Sequence, residues 1–256
     1  RELGLTKVLK VGGAQAIAAL TFGTRTIPSV DKIVGPGNLY VTLAKKLVYG
    51  QVGIDTMAGP SEVVILADES ANPKFIAADL MAQAEHDAMA SAIMIVNSKK
   101  LATAVTAEVR KQVRELPAKS RKLVERSLKK NGLCFVVENF RRMSEIVNRL
   151  GPEHVEIHIT DPKLILTDIR HAGAVFVGPF SPVAVGDYVA GPNHVLPTAG
   201  AARFASPLGV YDFFKRQSIV TYSRSALDKV RHDIDVLTTV EGLIAHNRSV
   251  DIRFRS

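Results

Sequence analysis

The sequence has a single cysteine, Cys134. One thiol excludes an intrachain disulfide framework, and it excludes any all-cysteine zinc or iron–sulfur site within one chain. It suits a reducing, cytoplasmic setting. No apolar run is long enough to cross a bilayer, and no basic-then-apolar leader opens the chain, so no membrane span is expected. Fixed-period repeats and low-complexity tracts are lacking as well. Neither phosphate-loop motif is complete. Gly35-Pro36-Gly37-Asn38-Leu39-Tyr40 begins as a dinucleotide fingerprint does, but Tyr40 stands where a third small residue must let helix and strand approach. Gly12-Gly13 lacks the spacing, and there is no Walker lysine motif. The two glycine pairs read as tight turns or as ligand-facing turns.

What remains is ordinary globular composition: 256 residues, 46% apolar and 23% charged. That length suits one large domain or two smaller ones. The chain starts at Arg1 rather than Met, which fits a processed product or a piece of something longer. The formal net charge is +8, and the excess is local: residues 97–150 hold fourteen Lys/Arg against five Glu. Leu101, Val105, Val109, Val113 and Leu116 recur at helical spacing there, with Arg110, Lys111 and Arg114 between them. No aromatic residue interleaves with these cations, so a solvated helix face is expected rather than a nucleic-acid surface.

Strand followed by helix is the dominant rhythm. Short strands are expected at Lys7–Val11 and Lys32–Val34, followed by helices Ala14–Leu20 and a second one reaching Lys46. Continuous apolar strands are expected at Val63–Ala67 and Ala92–Val96, with helix Pro73–His86 between them. Two basic helices then run to about Lys130, and further strands fall at Leu133–Val137, His154–His158 and Gly173–Val177. This alternation predicts an α/β fold, with parallel or mostly parallel sheets covered by helices. The pattern changes near Gly209, where Phe213–Tyr222 and a helix Asp235–His246 form a tail. Cys134 is expected to be buried in its strand.

Several segments could carry chemistry. Gln83 and His86 lie three apart at a helix end, where one face could offer an amide oxygen and an imidazole to a cation. In Gly151-Pro152-Glu153-His154-Val155-Glu156-Ile157-His158 a carboxylate adjoins an imidazole, which suits acid–base work. Val155 and Ile157 would face one way and His154, Glu156 and His158 the other, which also fits a plain polar sheet face. Gly186 to Thr198 is a long loop holding Asp187 and His194, and such loops are usually functional or disordered. Glu241 and His246 lie in the tail helix.

Together these segments resemble the histidinol dehydrogenase family. The matching stretches are Val11–Leu20, Val34–Asn38, Ala58-Gly59-Pro60-Ser61-Glu62, Gln83–Asp87, Pro152-Glu153-His154, Gly186–Thr198 and Glu241–His246. They span nearly the whole chain in the family's order. The resemblance implies incomplete Rossmann-like domains: a cofactor domain remnant at 1–64, a second domain with the zinc and catalytic residues at 65–208, and a dimer-reaching tail at 209–256. It implies one zinc ion per subunit held by Gln83, His86, Asp187 and His246, with Glu153 and His154 as the acid–base pair. Ser61, Gln83, His86, His154, Asp187, His194, Glu241 and His246 would contact the substrate, and Gln15 and Asn38 would contact NAD. It also implies a homodimer in which Glu241 and His246 complete the partner's site. The implied reaction is oxidation of L-histidinol to L-histidine through L-histidinal, the last two steps of histidine biosynthesis. Family members are longer, and this chain corresponds to their larger C-terminal part. A non-catalytic dimerising remnant, or a zinc hydrolase using Glu153 as base, are the competing expectations.

Overall fold

The computed structural model describes residues 4–57 and 59–255, so Ala58 of the Ala58–Glu62 motif lies outside the described residues. The described residues fall into two units, divided between Asp212 and Phe213.

The first unit opens with α1 (Gly13–Phe22), β1 (Lys32–Ile33), α2 (Leu39–Val48) and β2 (Gly53–Ile54). β1 and β2 pair in parallel, and Ile17, Ile33, Val48 and Val52 close a small core over them. Asn38 starts α2: its side-chain oxygen accepts from the Tyr40 and Val41 N–H groups, which would otherwise lack intrahelical partners. A buried ion pair between Lys45 and Asp55 braces this region. Lys45 Nζ donates to the Gly35 carbonyl at 3.0 Å, and Asp55 Oδ2 accepts from the Gly35 N–H at 2.7 Å. Both backbone groups of Gly35 are thus clasped by one ion pair. The residue sits at φ 121°, which a side chain would resist.

The larger sheet follows from β3 (Glu62–Ala67), α3 (Pro73–Ala84), β4 (Ser91–Val96), α4 (Lys99–Glu115), α5 (Ala118–Asn131), β5 (Gly132–Val136), α6 (Phe140–Leu150), β6 (His154–His158), α7 (Lys163–Leu166), β7 (Ala174–Val177) and α8 (Val183–Tyr188). Its order is β5-β4-β3-β6-β7, parallel throughout. β3 is apolar on both faces because both are covered. Val63, Ile65 and Ala67 pack with Ile76, Leu80, Leu101 and Val105 of α3 and α4. Val64 and Leu66 pack with Met143 and Val147 of α6 and with Val155 and Ile157 of β6. The α/β expectation therefore holds, with helices on both sides of a parallel sheet.

The second unit holds α9 (Arg224–Glu241) and α10 (Ile244–Asp251). Ser223 caps the start of α9 through the Ala226 N–H.

Several local expectations need correction. Residues 7–11 form no strand and are exposed. Among the described residues no strand lies beside them, and an unpaired strand cannot satisfy its backbone groups. The single helix expected over Asp235–His246 is two helices, because Gly242 takes a left-handed conformation (φ 72°) and closes α9. α3 stops at Ala84, so His86 lies in the turn beyond it rather than on the helix. Residues 186–188 of the expected long loop belong to α8. Cys134 is in a strand as expected but exposed, because β5 is a sheet edge.

Replacing Lys45 with Met leaves Asp55 buried without its cation, which costs about 3–5 kcal/mol of stability. Urea unfolding checks this, and the double variant Lys45→Met/Asp55→Leu is expected to recover part of the loss.

Candidate active site

The chain passes from β3 outward through β4 to β5, then returns to place β6 on the other side of β3. Such a reversal usually puts a ligand crevice at the carboxyl ends of the strands. Here Asp68 ties the ends of β3 and β6 to each other. Asp68 Oδ1 accepts from Ser70 N and Oγ, and its Oδ2 accepts from Thr160 N at 2.9 Å. Burial works against the Asp68 charge, but the Ser70 and Thr160 hydrogen bonds outweigh it and hold the carboxyl below its ordinary range.

The reactive side chains gather instead at the amino ends of β3 and β6. A cavity of about 450 Å³ opens there, lined by Ser61, His86, Glu153, His154, Asp187 and His194, with Gly35-Pro36-Gly37 and Asp55 on another wall. The parallel register pairs Val63 with His154, so the peptide at Glu62 lies against the Glu153-His154 pair. Glu153 Oε2 accepts from the Glu62 N–H at 3.0 Å and from Ser61 Oγ. Glu153 Oε1 accepts no hydrogen bond among the described residues and remains available to a reactant. Gly173 lies against this corner: a Cβ on it would come within 2.6 Å of the Glu153 carbonyl.

His154 Nδ1 lies 3.0 Å from the Glu62 carbonyl. A carbonyl only accepts, so Nδ1 carries a proton, and in the neutral ring Nε2 keeps its lone pair. That is the state a general base requires. The nearby Glu62 carboxyl is raised above its ordinary value, chiefly by burial and also by the Glu153 charge, against the opposing hydrogen bond from Ala199.

A smaller cleft of about 120 Å³ is lined by Gln83, His86 and Asp187 together with Asp79 and Glu156. His86 and Asp187 line both cavities. Gln83 is buried, and its Nε2 donates to Ser61 Oγ at 2.6 Å. Its carboxamide oxygen accepts no hydrogen bond among the described residues. Amide oxygen, imidazole and carboxylate are a donor set suited to zinc, and an amide oxygen without a donor fits a cation.

The structure therefore gathers Ser61, Gln83, His86, Glu153, His154, Asp187 and His194 around two cavities that share walls. Gln15 and Asn38 are exposed and do not line the larger cavity; the side-chain oxygen of Asn38 caps α2. Glu241 and His246 are exposed in the second unit, at the end of α9 and within α10.

Sequence reasoning missed Asp79 as a site residue and gave Glu156 and His158 no role. All three belong to one cluster, Glu156 and His158 buried and Asp79 partly so, with ligand-type atoms within 4.8 Å of one another. His158 Nε2 lies 3.3 Å from Glu156 Oε2 and 3.8 Å from Asp79 Oδ2. The signal for Asp79 was its place four residues before Gln83 on one helix. Burial, reinforced by the neighbouring Glu156 charge, pushes Asp79 up to about 7, although His158 pulls the other way.

The sequence matches the family model described as histidinol dehydrogenase over residues 1–254. Histidinol dehydrogenase of Halalkalibacterium halodurans is 55% identical over 252 residues, covering 98% of this chain and 59% of that protein. The Bacillus subtilis protein of that name is 53% identical over 254 residues, covering 99% and 59%. The crystal structure of histidinol dehydrogenase from Elizabethkingia anophelis superposes with a TM-score of 0.88 at 36% identity, covering 99% of this chain and 58% of that one. The chain thus spans a little under three fifths of the length of these relatives.

A pH prediction follows from Asp79. An unfolded Asp titrates near 4, whereas native Asp79 titrates at about 7. Between those values the native state holds more protons than the unfolded state, so this group makes stability fall as pH rises from about 4 to 7 and level off above. Asp79→Asn is expected to remove that decline and to be more stable than the parent at pH 8. Thermal melts of metal-free protein across pH 4–8 check it.

Proposed function

The chain belongs to the histidinol dehydrogenase family, and from that premise we propose that it carries the reacting residues of a zinc-dependent, NAD-linked oxidation of L-histidinol to L-histidine through L-histidinal. The observation that supports this most is the Glu153-His154 corner. It offers two distinct bases side by side: a carboxylate with one oxygen anchored and one free, and an imidazole with Nε2 bare.

In this reading His154 Nε2 removes the alcohol proton of histidinol in the first oxidation. Glu153, through its free oxygen, then removes a proton from the water that adds to the aldehyde. The aldehyde hydrate so formed undergoes the second oxidation. Gln83, His86 and Asp187, with His246 from the tail, would hold zinc, whose role when bound is to orient the substrate's amine and imidazole as a template. NAD would supply the hydride acceptor for both oxidations, and the turn Gly35-Pro36-Gly37, two of whose three residues carry no side chain, is the wall that suits its approach. Gln15 and Asn38 remain the cofactor contacts implied by the family resemblance. Ser61, His194 and Glu241 would contact the substrate. Glu241 and His246 would come from the partner subunit of a homodimer, which is why the tail is a separate functional segment from 209 onward. A cytoplasmic biosynthetic enzyme fits the single exposed thiol.

Mixing the chain with zinc, histidinol and NAD tests the proposal: two NAD reduced per histidinol are expected. Tight binding of zinc and histidinol with no NAD reduction would instead favour a non-catalytic remnant. For the division of labour, Glu153→Gln is expected to slow histidinal oxidation by about a hundredfold or more and to leave histidinol oxidation much less affected, so histidinal accumulates. Equal slowing of both half-reactions would contradict the separate roles.

A further inference from the structure

We propose that Glu156 is a positioning residue that holds Asp187 in place for cation binding by anchoring the amino end of α8, with His158 and Asp79 holding Glu156 in turn. The inference rests on the reading of Asp187 as a zinc ligand. Its ground is a chain of contacts that joins the middle of β6 to the helix carrying Asp187.

α8 is only six residues long, and its own sequence supplies no cap. Pro182 precedes it and makes no capping hydrogen bond. The first N–H groups of a helix need outside acceptors. Glu156, far away in the fold order, provides one: its Oε1 accepts the Val183 N–H at 2.8 Å. The carboxylate is almost fully buried (1% exposed), so this is a fixed strut rather than a solvated contact. Its other oxygen is held by His158 Nε2. The buried Nδ1 of His158 has no partner among the described residues, so the ring meets both carboxylates through Nε2.

A second strut sits one turn later. Gly186 lies so close to Phe176 of β7 that a Cβ on it would come within 2.6 Å of the ring. The Phe176 ring also packs against the His154 ring, with centroids 6.0 Å apart. α8 is therefore fixed at Val183 by β6 and at Gly186 by β7, and Asp187 follows directly. Asp79 closes the arrangement from α3, the helix that also carries Gln83. Two of the proposed ligands thus hang from elements tied to one carboxylate cluster. Glu156 Oε1 is engaged by a backbone donor, and the part the cluster plays in this arrangement is to support the neighbouring ligands.

The test uses the whole chain and zinc alone, with affinity and stoichiometry read by chelator competition. Four variants are compared with the parent: Asp187→Asn, Glu156→Gln, Glu156→Ala and Val183→Pro. Glu156→Gln keeps a side-chain oxygen for Val183 and is expected to bind zinc nearly as the parent does. Glu156→Ala loses it, and zinc affinity is expected to fall about 10–100-fold, the usual effect of removing a residue that orients a ligand. Should that variant fold poorly, Val183→Pro removes the same hydrogen bond from the donor side. Proline is tolerated at a first helical position, and Pro182 already has the extended backbone (φ −67°, ψ 156°) that a following proline requires. It is expected to weaken zinc in the same direction while the chain still folds cooperatively, although losing a donor to a buried carboxylate lowers the melting temperature. Loss of zinc by Asp187→Asn alone, with Glu156→Ala and Val183→Pro both binding as the parent does, would overturn the inference and spare the ligand assignment. Zinc retained by Asp187→Asn would overturn the assignment and the inference with it. A second zinc in the parent that disappears in Glu156→Gln would show the cluster to be a cation site, and would also overturn it.

Discussion

The register between β3 and β6 is the constraint on which the site depends. Val63 opposes His154, so the Glu62 peptide meets the Glu153-His154 pair with both its groups. Its N–H goes to the carboxylate and its carbonyl to the imidazole. The backbone of a single residue, Glu62, therefore orients two candidate bases and sets the tautomer of one. A slip of one residue would turn every β6 side chain to the opposite face. It would carry His154, Glu156 and His158 into the layer now filled by Val155, Ile157, Met143 and Val147. The apolar layer thus enforces the polar one.

This also explains why an α/β sheet without a phosphate-binding glycine loop can still host chemistry. At the carboxyl end of the strand reversal, where nucleotides usually bind, Asp68 accepts hydrogen bonds from Ser70 and Thr160 and ties β3 to β6. The amino end faces the segment braced by Lys45 and Asp55, and that segment turns Gly35-Pro36-Gly37 toward the larger cavity. Two buried polar arrangements, one beneath Asp187 and one behind Gly35, shape the walls while the reactive atoms stay free of internal partners.

Much of this was legible in the sequence. The alternation of apolar strands with helices fixed the fold class, because only a sheet covered on both faces needs strands as uniformly apolar as Val63–Ala67. The family resemblance, not spacing, is what assigned Ser61, Gln83, His86, Glu153, His154, Asp187 and His194 to one site, and the structure brings these residues around two adjoining cavities. The alternation in His154–His158 showed a polar face but not its depth, since periodicity cannot distinguish solvent from a helix laid over the strand. The Lys45–Asp55 pair was invisible for a related reason: its partners meet only after α2 and β2 fold back on Gly35. Lys7–Val11 reads as a strand by composition, yet a strand also needs a neighbour, and sequence periodicity carries no information about that.

The most direct measurement is the tautomer that the His154 ring adopts once it is neutral, read by long-range ¹H–¹⁵N correlation in metal-free protein across a pH series. The account predicts a neutral ring protonated at Nδ1, with the Nε2 resonance of an unprotonated nitrogen. A ring protonated at Nε2 would mean that the Glu62 carbonyl does not hold it, and the β3–β6 register could no longer be what prepares the base.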